Sequence, residues 1–143
     1  MLDGVTEPVV VCGHTHRPLA RQVGPWTIYN PGSVGMPYNE DPRAQYMLLD
    51  LVTLHGKPGW RPTFRRVEYD LGGLEPAFYA SGLMDAAGPL GQLLLLTARS
   101  GHAYISDYAY WLRQQPAELA EDQPRSVAVY LAQHGPGRWA FSI

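Results

Sequence analysis

The strongest constraint on the fold is a change of texture near residue 72. Before it, β-branched or alternating runs are punctuated by glycine and proline; after Asp70 small residues and helix formers take over. Pro8 to Cys12 form a continuous β-branched run ending at Gly13, the pattern of a strand buried on both faces. Trp26 to Asn30 alternate large and polar side chains and run into Pro31-Gly32, which reads as strand then turn. Tyr46 to Val52 and Thr63 to Tyr69 are two further β-like runs, expected to pair antiparallel across the loop His55-Gly56-Lys57-Pro58-Gly59. In the second part, Asp107 is expected to cap a helix from Tyr108 to Gln115 that Pro116 helps to stop. Pro124 suits the first turn of another helix, with Val127, Tyr130, Leu131 and His134 on one face and Gly135-Pro136-Gly137 at its end. The reading is an α/β chain of four strands and two or three helices, with residues 1–71 forming one part and 72–143 a mainly helical extension.

Composition excludes several function classes. The chain has 143 residues, room for one ordinary domain, and a formal net charge of -2. Ten of its eleven basic residues are Arg, Lys57 is the one Lys, and no basic run exceeds Arg65-Arg66, so nucleic acid is not an expected partner. The longest apolar run considered, Leu93 to Leu96, is far below the ~18 residues a spanning helix needs, so no membrane partner is expected either. Met1-Leu2-Asp3-Gly4 lacks the charged and apolar regions of an export signal. The single cysteine, Cys12, rules out an intramolecular disulfide and is expected to be buried as a small apolar residue. A cytoplasmic protein fits these features.

The sharpest chemical feature is Gly13-His14-Thr15-His16, two imidazoles one residue apart after a strand. In an extended segment both side chains leave on the same side, and each offers a neutral nitrogen to a cation. Gly13 lets the backbone bend so that the rings need not be parallel, which suits two neighbouring ions. Arg17 either reaches a substrate phosphate or simply faces solvent. The stretch Asn30-Pro31-Gly32-Ser33-Val34-Gly35 either lines an anion site with N–H groups or is a tight turn that holds the loop. His55, His102 and His134 have no partner spacing and read as structural or exposed. Tyr104, Tyr108, Tyr110 and Trp111 read as core and interface packing, since no basic groove accompanies them.

The ordered blocks Val9-Val10-Val11-Cys12-Gly13-His14-Thr15-His16-Arg17-Pro18, then Ile28 to Pro37 with its Asn-Pro-Gly-Ser, then Pro42-Arg43-Ala44-Gln45-Tyr46 leading to Leu49-Asp50, resemble the calcineurin-like metallophosphoesterases. More narrowly, they resemble the C-terminal part of the small bacterial branch, over about residues 8 to 70. The resemblance implies the C-terminal portion of a two-sheet α/β sandwich with outer helices. It also implies hydrolysis of a phosphomonoester or phosphodiester by water activated between two divalent metals, of which manganese, iron, zinc and nickel suit such ligands. His14 and His16 inherit metal-ligand roles, one on each ion.

The family's other ligand blocks, Asp-x-His, Gly-Asp-x-x-Asp and Gly-Asn-His, do not occur here. The acidic residues before Gly13, Asp3 and Glu7, lack those contexts. Two imidazoles cannot hold two such ions, since each takes about four ligands. The sequence therefore reads as half of a site, inactive alone, arising from a gene model that starts at an internal methionine, a split frame or a decayed remnant. The expected partners are a phosphate-ester substrate and either a missing N-terminal half or a second copy, because an uncovered sheet exposes apolar surface. The alternative is a non-catalytic interaction module built on a phosphoesterase remnant.

Overall fold

A chain rich in short β-branched runs forms several small strands rather than one wide sheet, and the computed structural model shows how they assemble. It describes residues 4–54 and 56–136; His55 and Gly137, which the sequence reading used, lie outside the described residues. Strands β1 (Val9–Val11), β2 (Leu19–Val23) and β3 (Trp26–Asn30) form one sheet in the order β1-β3-β2. β1 runs parallel to β3, with Val11 opposite Tyr29, and β2 runs antiparallel to β3, with Leu19 opposite Asn30. Gly24, at φ 57, supplies the left-handed turn between β2 and β3. β2 lies outside the expected strands because Leu19-Ala20-Arg21-Gln22-Val23 has neither a β-branched run nor a buried face; all five residues are exposed.

Strands β4 (Ala44–Leu54) and β5 (Lys57–Val67) form a two-stranded antiparallel ribbon. The expected pairing is present, but the loop is shorter than the run of breakers suggests. The register closes at Leu54 opposite Lys57, so Pro58 and Gly59 lie inside β5 opposite Thr53 and Val52. Proline is tolerated there because a two-stranded ribbon is all edge, and its missing N–H faces away from the partner.

Past Asp70 the chain is helical: a 3-10 turn at Leu71–Gly73, then α1 (Leu74–Ala80), α2 (Leu83–Ala87), α3 (Leu90–Ser100), α4 (Tyr104–Leu112), α5 (Ala117–Ala120) and α6 (Gln123–His134). The protein is thus mixed α/β, with two small sheets and six α-helices among the described residues, as the sequence reading expects. Asp107 is not a cap. It sits in the first turn of α4 and its N–H bonds to the Ala103 carbonyl at 3.0 Å, because the helix begins at Tyr104. α6 starts as its Pro124 suggests, and the Asp122 carboxylate accepts from the Arg125 N–H at 3.1 Å.

Two compact units result: residues 4–70 with 100–102, and 71–99 with 103–136. The second has an apolar core of Leu93, Tyr104, Tyr108, Val127 and Tyr130. Tyr108 and Trp111 both pack on Tyr130, with ring centroids 5.4 and 5.5 Å away, so the aromatic cluster is packing, although Tyr110 is exposed. His134 stacks on Tyr130 at 4.9 Å. The first unit is different. Its fully enclosed side chains are Tyr29, Asn30, Pro37 and Gln45, mostly polar or in loops, while Val11, Leu48, Leu51 and Trp60 are exposed. β1 accordingly lies half-open at a sheet edge rather than buried on both faces, with Val11 51% exposed. Cys12 is exposed too, its Sγ–H reaching the Tyr29 carbonyl at 3.4 Å.

Candidate metal centre

Parallel pairing of β1 and β3 brings their C-terminal ends to the same side, so the loops after Val11 and Asn30 emerge together. Asn30 joins them. It is 1% exposed, and its Nδ2 donates to the Gly13 carbonyl at 3.1 Å and to Thr15 Oγ1 at 2.9 Å. Its Oδ1 accepts from the Gly32 N–H at 3.0 Å, an Asx turn that closes the following Pro31-Gly32 corner. The Asn-Pro-Gly-Ser stretch therefore acts as a clamp on the histidine loop. Gly32 is obligatory in that corner: φ is 92, and a Cβ would collide with Gln45 Oε1 and press on Pro18. Buried Gln45 donates to Asn39 Oδ1 at 2.8 Å and to the Asp41 carbonyl at 3.2 Å, while its oxygen, without a donor, rests on Gly32.

The second clamp is the segment Met36 to Tyr38. The Tyr38 N–H donates to the His16 carbonyl at 3.1 Å, and Arg17 Nε donates to the Tyr38 carbonyl at 2.8 Å. His16 Nδ1 lies 2.7 Å from the Met36 carbonyl, and the Tyr38 ring packs on the imidazole with centroids 4.7 Å apart. Because a carbonyl only accepts, Nδ1 carries the hydrogen; a neutral His16 ring then has its lone pair on Nε2. A backbone carbonyl behind the far nitrogen is how a ligating imidazole is commonly fixed. Arg17 spends Nε on the loop, so its position serves the scaffold.

His14 and His16 do not leave an extended strand. Their φ values are 75 and 57, both left-handed, and the Thr15 N–H turns back to the Gly13 carbonyl at 3.0 Å. Two left-handed residues around Thr15 replace strand alternation as the determinant of ring direction. Each such non-glycine residue is strained by roughly 1 kcal/mol or more, and the two clamps offset that strain. His14 is exposed and, among the described residues, has no hydrogen-bond or ionic partner. The pair thus offers two imidazoles, one fixed and one free.

Other charged residues hold the scaffold. Asp41 receives Arg43 at 2.7 Å and Arg66 at 3.3 Å. The Arg43 guanidinium holds the Asp41 carboxyl down at about 2, against an ordinary 3.8. His102, read as structural or exposed from sequence, lies 2.8 Å from Glu40 Oε1, and the Glu40 N–H donates to the Gly101 carbonyl at 3.1 Å. A cavity of about 280 Å³, lined by Pro18, Leu19, Pro31 and Phe64 with Arg65 and Arg66 beside them, includes neither His14 nor His16. Among the described residues no group of three or more His, Cys, Asp or Glu is placed to hold a metal ion. No helix among them is long and apolar enough to cross a membrane.

Sequence reasoning placed Asn30 in a turn that holds the loop, as one of two readings, but missed Tyr38. An asparagine at a strand end before Pro-Gly is the signal for the first; nothing local marks the second.

No curated protein and no solved structure matches the chain. Residues 3–54 match the family model described as the calcineurin-like phosphoesterase superfamily domain, a span that contains β1 to β4, both clamps and both histidines. That segment is similar to part of a calcineurin-like phosphoesterase domain.

Proposed function

We propose that the first unit is the C-terminal portion of a metal-dependent phosphoesterase, in which His14 and His16 each ligate one of two divalent ions. The fixed His16 ring, with Nδ1 on the Met36 carbonyl, carries the reading. Two divalent cations, when bound, supply Lewis acidity and an acidified water for phosphoester hydrolysis. This chain's own part is to aim two imidazoles through the Asn30 and Met36–Tyr38 clamps. The carboxylates that would complete the cage are not among the described residues. Manganese, iron, zinc and nickel all suit the donors, the substrate is a phosphomonoester or phosphodiester, and the single cysteine supports a cytoplasmic setting.

A second reading, a non-catalytic interaction module, is favoured by the lack of a three-residue metal cluster among the described residues. Histidine-detected NMR during zinc titration of the full chain, with His14→Ala and His16→Ala as controls, separates the two. The phosphoesterase reading expects weak binding that shifts the Nε2 signals of His14 and His16 and is reduced by either substitution. Tight two-ion binding would show that other groups hold the ions. Shifts confined to His102 and His134 would leave only the second reading. A version extended upstream should acquire two ions per chain and phosphatase activity.

A further inference from the structure

We propose that the chain self-associates through the free edge of β4, which pairs antiparallel with the same strand of a second copy about a two-fold axis at Leu49. The inference rests on the ribbon's geometry and is independent of the metal reading.

The two edges of the ribbon are not equivalent. With the hairpin closing at Leu54 opposite Lys57, hydrogen-bonded pairs alternate from that point. Tyr46, Leu48, Asp50, Val52 and Leu54 exchange bonds with β5, whereas Gln45, Met47, Leu49, Leu51 and Thr53 turn their N–H and C=O groups outward. Two observations agree with this parity. Pro58 and Pro62, which have no N–H, lie opposite Thr53 and Leu49, and the Gln45 N–H bonds outward to the Ser33 carbonyl at 3.0 Å. The β5 edge is therefore interrupted by two prolines, the usual protection of an exposed strand. The β4 edge has none. Among the described residues, Met47, Leu49 and Leu51 have no backbone hydrogen-bond partner on that side, and Leu51 is 64% exposed.

A second copy fits this edge. β4 runs from Ala44 to Leu54, so full antiparallel overlap with itself centres on Leu49, and Leu49 faces outward as a central hydrogen-bonded pair requires. Met47 of one copy then opposes Leu51 of the other, giving three outward-facing pairs and about six inter-chain hydrogen bonds. The Ser33 contact at Gln45 ends the pairing there. Charge is matched as well: Asp50, the one charged residue of β4, falls opposite Leu48 of the other copy and keeps Arg61 as its cross-strand neighbour. Pairing at equal parity also puts Met47, Leu49, Leu51, Trp60, Pro62 and Phe64 of both copies on one face.

Cross-linking tests the axis. Hydrogen-bonded antiparallel partners have Cα atoms about 5.5 Å apart, within disulfide reach. In the full chain carrying Cys12→Ser, Leu49→Cys should form a covalent dimer on mild oxidation, and Leu51→Cys should not. Amide exchange supplies a second readout: Met47, Leu49 and Leu51 should be protected in concentrated solution and exchange on dilution, while Tyr46, Leu48, Asp50 and Val52 stay protected. Leu49→Pro removes an N–H that the ribbon does not use, so it should leave a folded monomer. A wild-type monomer by light scattering, or a dimer that Leu49→Pro does not weaken, would overturn the proposal. Protection of Met47, Leu49 and Leu51 that is unaffected by dilution would also overturn it, in favour of a strand from the same polypeptide.

Discussion

Asn30→Ala should uncouple the histidine loop from the sheet. The side chain makes three hydrogen bonds, two donated to Gly13 and Thr15 and one accepted from Gly32, at 2.9 to 3.1 Å. Each contributes about 1 kcal/mol net, and leaving the Gly32 N–H unpaired in a half-buried corner adds roughly another 1 kcal/mol. The expected loss is therefore about 3–4 kcal/mol in a unit with little apolar core to absorb it. For a unit of this size that lowers Tm by roughly 12–32 °C. Thermal unfolding followed by Trp26 and Trp60 fluorescence in a Trp111→Phe, Trp139→Phe background reports on the first unit. Amide exchange at Thr15 and Gly32 reports on the loop. Asn30→Asp keeps the shape and the Gly32 bond, and the Thr15 hydroxyl can turn to donate to it, but it sets an acceptor against the Gly13 carbonyl, so it should be less stable than wild type at neutral pH. A Tm within a degree or two of wild type for Asn30→Ala, with unaltered exchange at Thr15, would refute the clamp.

Two other perturbations follow from the same unit. Gly32→Ala forces a Cβ onto Gln45 and Pro18 at a φ of 92, and should destabilise by about 2–3 kcal/mol in urea unfolding; a neutral result would mean that the corner is not tight. The Asp41 carboxyl is held down at about 2 by Arg43, against an ordinary 3.8. Its ionised form is thus the one the fold favours. That contribution is complete above about pH 4 and disappears as pH falls towards 2. Asp41→Asn should flatten the acid limb of a stability-versus-pH curve between those values, and an unaltered limb would place the acid sensitivity elsewhere.

How much was legible depended on whether a signal was local. Trp26 to Asn30 was readable as a strand because alternation and Pro-Gly punctuation are local, and α6 was readable because Pro124 and the spacing of Val127, Tyr130 and Leu131 are. β2 was not, because its five residues are all exposed and pair with β3 through the backbone and one polar side-chain contact, Thr27 to Gln22, leaving no apolar pattern to read. The burial expected for Cys12 and for the Val9–Val11 run failed for a related reason. A β-branched run shows that a strand is suited to an interior, but its place in the sheet order decides whether neighbours cover it, and β1 is at the edge. At the site, His14 and His16 were visible as a motif, yet what aims them is contributed from Asn30 and from Met36 to Tyr38, contacts that span 15 and 20 residues.

The left-handed backbone at His14 and His16 separates structural need from chemical need. If residue 14 served only the fold, a φ of 75 would be best met by glycine. Histidine tolerates this region better than most side chains but is still strained there. His14 offsets none of that strain through a side-chain partner among the described residues, so replacing it loses little. The expected order is therefore inverted from that of an ordinary site. In helices and strands glycine is about 0.5–1 kcal/mol worse than alanine, whereas His14→Gly should be more stable than His14→Ala by about 1 kcal/mol, even after the greater freedom glycine gives the unfolded chain. At position 16 the same order holds, but both variants fall below wild type, because either substitution also loses the Met36 bond and the packing on Tyr38. Urea unfolding of the four variants measures both differences. Glycine outperforming alanine at 14, with zinc-dependent shifts abolished in both variants, would mark His14 as a residue kept against the preference of its backbone. Alanine equal to or better than glycine would mean that the left-handed turn is not a property of the folded protein, and the geometry assigned to the imidazole pair would go with it.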